Sequence, residues 1–160
     1  MTKIYALTAL FSFLPISELR GGIPYAFFNG IPLLQAYLIC VLINTLVAPV
    51  FFIFLETIHK LFYKIPLYKR IFDKTVNKAR QKVGQKIEKY GMAGLLVFVA
   101  IPLPITGAWT GTLGAWILGL NKRKSFLFIL LGVMISGLIV STVVYTGSSL
   151  STIFTKSITV

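Results

Sequence analysis

Residues 14–30 read LPISELRGGIPYAFFNG, and residues 103–119 read LPITGAWTGTLGAWILG. At an offset of 89 the two stretches share the pattern L-P-I-[ST]-x4-G-x3-A-[FW]-x2-G. An apolar segment precedes each stretch, at residues 4–14 and 93–103. Several proline and glycine coincidences in one register predict that the chain repeats a structural unit.

Each unit contains two short apolar halves that meet at a proline turn. Halves of about 11–14 residues are too short to cross a hydrocarbon core of about 30 Å singly. We therefore expect two re-entrant helical hairpins, at residues 4–30 and 91–120, each entering and leaving the membrane on one side. One alternative is a single span over residues 4–28. Another is a cleaved signal peptide, which is disfavoured because a leader would not recur at 93–105.

A long apolar segment follows each hairpin, at residues 32–57 and 125–150, and each is long enough to cross a membrane. Gly30 and Pro32 predict a helix end followed by a new helix start, and Pro49 predicts a kink. Asn44 is expected to bond across helices.

The basic segment at 58–90 predicts an amphipathic helix over residues 69–90. Its apolar residues recur in steps of 3 and 4 on one helical face, at Phe72, Val76, Ala79, Val83, Ile87 and Tyr90. The remaining positions are mostly Lys and Arg, so we expect this helix to lie against anionic lipid.

Composition and charge narrow the class of protein. Hydrophobic residues make up 56% of the 160 residues and charged residues only 12%, which excludes a disordered chain. The single cysteine, Cys40, excludes a disulfide-stapled secreted domain. The net charge of +12 suggests a nucleic-acid partner, but 13 of the 16 basic residues lie at 60–89 and 122–124, between apolar segments. That placement is typical of the positive-inside rule, so no nucleic acid is expected.

The sequence thus predicts an all-α integral membrane protein with a single membrane domain, residues 1–160, in the plasma membrane. Residues 60–89 and 122–124 are cytoplasmic and both termini are external under the positive-inside rule. The repeats at 1–57 and 91–150 then have opposite orientations, an inverted repeat joined by the cytoplasmic amphipathic helix. Two spans and two hairpins bury little surface, which favours a homo-oligomer.

Glu18 and Arg20 are the only acid and base in the hairpins. Ionisable groups in the membrane are costly and are candidates for function, although a structural pair that fixes the loop is the alternative. Gly21 and Gly22 permit close approach of the backbone to a ligand or unusual dihedral angles.

The second hairpin carries no charge at its tip, where Thr106, Gly107, Trp109 and Thr110 lie. We expect Thr106 to cap the half-helix that follows it, and Ser17 or a nearby residue to cap the corresponding half-helix of the first hairpin. Two half-helix N-termini and Arg20 would then form a site for an anion. Glu18 would compete with that anion or carry a proton. We find no metal-ligand spacing, Walker loop or nucleophile–base pair, so neither an enzyme nor a metal or cofactor is expected.

The motifs ELRGGIP (18–24) and PLPITGAWTG (102–111) resemble the small multi-drug export protein family of bacterial and archaeal membranes. That family looks distantly similar to the DedA superfamily, whose members have two facing re-entrant hairpins, and some of which translocate undecaprenyl phosphate. By this analogy Glu18 and Arg20 match the acid and arginine of the hairpin sites, although the second hairpin lacks a charge.

The resemblance implies a transporter of a small or lipid-linked, anionic substrate, with proton coupling through Glu18. The alternative is a membrane scaffold or assembly factor that binds its partner through the helix at 69–90.

Overall fold

The computed structural model describes residues 2–57, 62–103 and 106–158, and their side chains except at 75, 78–89 and 149–158. All regular structure in these ranges is helical, which confirms the all-α class. The helices are α1 (Thr2–Phe13), α2 (Glu18–Phe28), α3 (Leu33–Glu56), α4 (Pro66–Ala100), α5 (Ala108–Ile117) and α6 (Lys122–Ile158). Pro104, Ile105 and most side chains of the basic helix lie outside the described residues.

The first two helices form an antiparallel hairpin that folds back at residues 14–17. The rings of Phe11 and Tyr25 lie 5.0 Å apart, and Ile4 packs beside Ala26 near the open end. At 12 and 11 residues, α1 and α2 are about 18 and 16 Å long. Residues 4–28 therefore do not form the one continuous helix that a single span requires.

A second helical pair follows the basic segment. The helix α4 is broken at Gly91, where φ is 56° and ψ is −134°, so its apolar part at 92–100 is separate from the basic part. This apolar part packs against α5 so closely that a Cβ added at Gly111 would lie 2.6 Å from a methyl group of Val99. The corresponding glycine of the first pair, Gly22, likewise leaves no room for a Cβ beside Ser12 of α1.

The two stretches that share the sequence pattern end in the same way. After α2, Gly30 has φ of +87° and the N–H of Ile31 donates to the carbonyl of Ala26. After α5, Gly119 has φ of +64° and the N–H of Leu120 donates to the carbonyl of Ala115. Both are the glycine-dependent helix end that satisfies otherwise unpaired carbonyls, and they lie at the same offset of 89 residues.

Two helices among the described residues are long and apolar enough to cross a membrane, Leu33–Glu56 and Lys122–Ser148. The predicted segment 32–57 matches the first within one residue at each end, and the helix continues through Pro49. The second begins earlier than the predicted 125 because Asn121 caps it, its Oδ1 accepting from the N–H of Lys124 at 3.1 Å. An exposed apolar row follows α3 at every fourth residue, namely Leu34, Leu38, Leu42, Leu46 and Val50.

The two helical pairs open at opposite ends of α3. Tyr5, in the first turn of α1, donates to Gln35 at the start of α3. At the other end of α3, Glu56 forms an ion pair with Lys122, and Phe72 of α4 packs edge-on against Trp116 of α5. We call this second end the basic end, because the exposed residues Lys69, Arg70, Lys74, Lys122, Arg123 and Lys124 belong to segments that meet there.

Candidate functional site

The Glu18 carboxylate is buried where the two hairpins touch. Its side chain is only 3% exposed, and the residue adopts the left-handed conformation, with φ of +51°. The N–H of Trp109 approaches Oε1 at 3.4 Å, and the N–H of Ala108 faces the same carboxylate. Glu18 therefore places its negative charge at the N-terminus of α5, where the helix dipole and unpaired N–H groups favour an anion.

Arg20 completes a bridge between the hairpins. Its Nη2 donates to Oε2 of Glu18 at 3.1 Å and to the carbonyl oxygen of Thr106 at 2.6 Å. The Arg20 side chain is 17% exposed, so this guanidinium is the more accessible member of the pair. Among the described residues, the pair is the one acid–base contact inside the apolar part of the bundle.

Gly107 makes the close approach of Glu18 possible. A Cβ at this position would lie 2.6 Å from the carboxyl carbon of Glu18, and the φ of +117° is one that other residues rarely adopt. Glu18 and Gly107 are separated by 89 residues, the offset of the repeat. The contact therefore joins the corresponding positions of the two units.

Trp109, in the second hairpin, stabilises the same contact. Its indole Nε1 donates to the carbonyl of Phe13 at 2.7 Å, which satisfies a group at the C-terminus of α1. The indole also lies 4.8 Å from the Phe51 ring and edge-on to Phe13 at 5.6 Å. Phe51 carried no sequence signal for this role, because it is one of many apolar residues in α3.

The contact lies beside the middle of α3. The Nδ2 of Asn44 donates at 3.0 Å to the carbonyl of Ser12, in the last turn of α1, which confirms the expected bond across helices. Asn44 is about 17 Å along the helix from either end of α3, given 24 residues and 1.5 Å per residue. The hairpin tips thus reach the level of the helix midpoint.

Four of the predicted site residues play different parts from those expected. Thr106 does not cap α5, because its hydroxyl turns back to the carbonyls of Ile101 and Leu103, and Gly107 occupies the N-cap position. Ser17 occupies the N-cap position of α2 but makes no side-chain capping bond. The unusual dihedral lies at Glu18, whereas Gly21 and Gly22 are helical and sit close to Ser17 and Ser12.

Thr110 is half-buried in the first turn of α5, beside Trp109. Glu18, Arg20, Thr106, Gly107 and Trp109 are thus brought together, and the anion expected between the half-helix N-termini is the protein's own carboxylate. Exchange of that carboxylate for another anion is the chemistry that this arrangement permits.

A family model described as "Putative small multi-drug export protein" matches residues 18–139. The chain belongs to this family. The match begins at Glu18 and includes both hairpin tips, α3 and most of α6. Together with the two long apolar helices, it identifies a membrane protein of an export family.

Neither the curated proteins nor the solved structures give a match to this chain. The similarity to the DedA superfamily therefore stays a resemblance carried by the motifs.

Proposed function

We propose that this member of the small multi-drug export family transports a small or lipid-linked anion through a site at the contact of two re-entrant hairpins. The observation that carries the proposal is the buried Glu18 carboxylate, bound to Arg20 of its own hairpin and to the start of α5 in the other. An ionisable pair at this depth is costly to keep in an apolar bundle and is a candidate for function.

The re-entrant and inverted arrangement is part of the proposal. It is supported by the lengths of the four hairpin helices, about 14–18 Å, which are too short to cross a core of about 30 Å. The open ends of the two helical pairs lie at opposite ends of α3, which supports opposite orientations of the repeats. Tips beside Asn44 would lie near the bilayer midplane, where transporters of inverted-repeat architecture bind substrate.

Proton coupling follows from the exchange of anions at this contact. When Glu18 binds a proton, it no longer neutralises Arg20 or the N-terminus of α5. Arg20 and the N–H groups of Ala108 and Trp109 then attract an anionic substrate instead. Proton and anion would consequently bind together, so transport should become faster as the pH falls.

The test is transport by the full chain in liposomes. The probes are fluorescently labelled phosphatidylglycerol for a lipid substrate and carboxyfluorescein for a small anion. We expect at least one probe to move faster than in protein-free liposomes, and faster still at acidic pH. Arg20→Ala should abolish this movement, and Glu18→Gln should remove its pH dependence.

Lys3→Gln provides the control, because it removes an exposed charge outside the contact. Size-exclusion profiles and thermal unfolding establish that each variant is folded. Wild-type transport and pH dependence in both Arg20→Ala and Glu18→Gln would contradict the proposal.

A scaffold function for the basic helix is the alternative. Phe72 and Val76 pack against Leu55 and Leu113, which leaves neighbouring basic residues exposed for a partner. On this alternative, reversing the charge of Lys69, Arg70 and Lys74 would abolish complementation of a deletion strain, while Glu18 and Arg20 variants would still complement.

A further inference from the structure

A groove separate from the hairpin contact lies between α3 and α6 at the basic end. Its volume is about 480 Å³, and its walls are almost entirely apolar, including Phe52, Ile53 and Leu127. Ile53 and Leu127 are 62% and 55% exposed, so the groove is open along the outer surface of the bundle.

Charged residues lie at one end of this groove. Glu56, Lys122 and Arg123 line it there, and Glu56 pairs with Lys122. Among the described side chains, no acidic partner contacts Arg123, so the groove mouth carries a net positive charge. An apolar wall that ends at a cation complements a molecule with an anionic head and a hydrocarbon chain.

We infer that the groove binds an anionic phospholipid, with its phosphate at Arg123 and an acyl chain along the walls of α3 and α6. Basic pockets between transmembrane helices are known to select acidic head groups, and arginine suits phosphate because its fork of N–H donors binds two oxygens. The site is distinct from the predicted lipid contact of the basic helix, and it does not depend on the transport proposal.

Each lining residue has a definite expected effect on the affinity for the lipid. Arg123→Gln should weaken binding of phosphatidylglycerol about fivefold, the typical contribution of one cation near an acidic head group. Glu56→Gln should strengthen binding, because Lys122 is then released toward the phosphate. Ile53→Trp should weaken binding without changing the charge, because the indole fills the groove.

The chain offers matched controls for both kinds of variant. Lys124→Gln removes the same charge one residue away from Arg123, but Lys124 does not line the groove. Leu42→Trp adds the same bulk at an exposed position of α3, 64% exposed, away from the groove. We expect both controls to bind phosphatidylglycerol as the wild type does.

The measurement is native mass spectrometry of the full chain in neutral detergent, titrated with phosphatidylglycerol or with phosphatidylcholine of the same acyl chains. Preferential retention of phosphatidylglycerol, with the variant pattern given above, is the expected result. Equal retention of the two lipids, or equal loss in Arg123→Gln and Lys124→Gln, would overturn the inference. Unchanged retention of phosphatidylglycerol in Ile53→Trp would also overturn it, because the apolar walls would then contribute nothing.

Discussion

Glu18 is bound by partners from both hairpins, so its charge contributes to the structure as well as to any transport. Arg20 lies two residues along the same hairpin, while Ala108 and Trp109 belong to the other. The left-handed φ of Glu18 costs about 1–2 kcal/mol for a residue other than glycine. Backbone strain of this kind persists where the surroundings over-determine it, often at functional sites.

Removing both charges of the pair should destabilise the protein by less than the sum of the two single removals. Glu18→Gln leaves the Arg20 guanidinium without a counter-ion, and Arg20→Gln leaves a buried carboxylate, each costing about 3–5 kcal/mol. Neither charge is left unpaired in the double variant. We therefore expect its loss of unfolding free energy to be smaller than the sum of the two single losses, by about 1–3 kcal/mol.

Unfolding of the four proteins of this cycle in mixed micelles with increasing SDS measures the coupling. Additive losses would show that Glu18 and Arg20 do not stabilise each other. Lys122→Gln provides the comparison, because its ion pair with Glu56 is exposed and should contribute only about 0–1 kcal/mol.

The sequence was sufficient to select Glu18 and Arg20 as residues of this contact but not to place their atoms. Glu18 and Arg20 stand out because charges are rare between residues 4 and 55. The hydroxyl of Thr106 had two kinds of acceptor available, and only the path of the loop at 101–103 decides between them. The contact between Gly107 and Glu18 could not be placed either. The two residues are 89 positions apart, so no local sequence pattern indicates that they touch.

At the scale of helices, Gly22 and Gly111, which are 89 residues apart, determine how closely the two short helices of each hairpin pack together. A Cβ at Gly22 would lie 3.0 Å from Sγ of Cys40 and closer still to Ser12. A Cβ at Gly111 would meet Val99 at 2.6 Å and Ile129 at 3.9 Å. Cys40 and Ile129 are themselves 89 residues apart, so the packing of the two units on α3 and α6 corresponds.

Alanine at either glycine should therefore destabilise the protein by a similar amount. Gly22→Ala and Gly111→Ala each add a methyl group where there is no space, and overpacking typically costs about 1–3 kcal/mol. Gly147→Ala is the control, because nothing lies near its Cβ position, and alanine there should stabilise α6 by about 0.5–1 kcal/mol. Thermal unfolding in detergent compares all three, and a neutral effect at both close-packed positions would contradict this packing.

Helix limits were predictable where a backbone signal accompanied the apolar pattern. Gly30 and Pro32 located the start of α3 within one residue, since glycine suits a helix end and proline a helix start. The predicted start of α6 was three residues too late. The apolar pattern begins only at residue 125, whereas the cap at Asn121 starts the helix at Lys122 and so adds the basic residues 122–124 to it. The break at Gly91 falls where the predicted basic helix, 69–90, ends and the predicted second hairpin, 91–120, begins.

For the whole molecule, the basic residues and the first re-entrant hairpin together predict on which side of the membrane each segment lies. Lys3 and Asn29 lie on the two arms of the first hairpin, near the end where α3 begins, and Lys124 lies at the basic end. A re-entrant hairpin places residues 3 and 29 on one side of the membrane, and the positive-inside rule places residue 124 on the other. A single span over 4–28 would instead separate residues 3 and 29.

Labelling of single cysteines with a membrane-impermeant maleimide distinguishes these topologies. Cys40→Ala supplies the background, because the native thiol is buried and alanine fits in its place. In intact spheroplasts we expect Lys3→Cys and Asn29→Cys to react, and Lys124→Cys to react only after lysis. Reaction of one arm without the other would refute the re-entrant hairpin. Reaction of all three in intact cells would instead refute the assignment of the basic end, since the charge of +12 would then not report orientation.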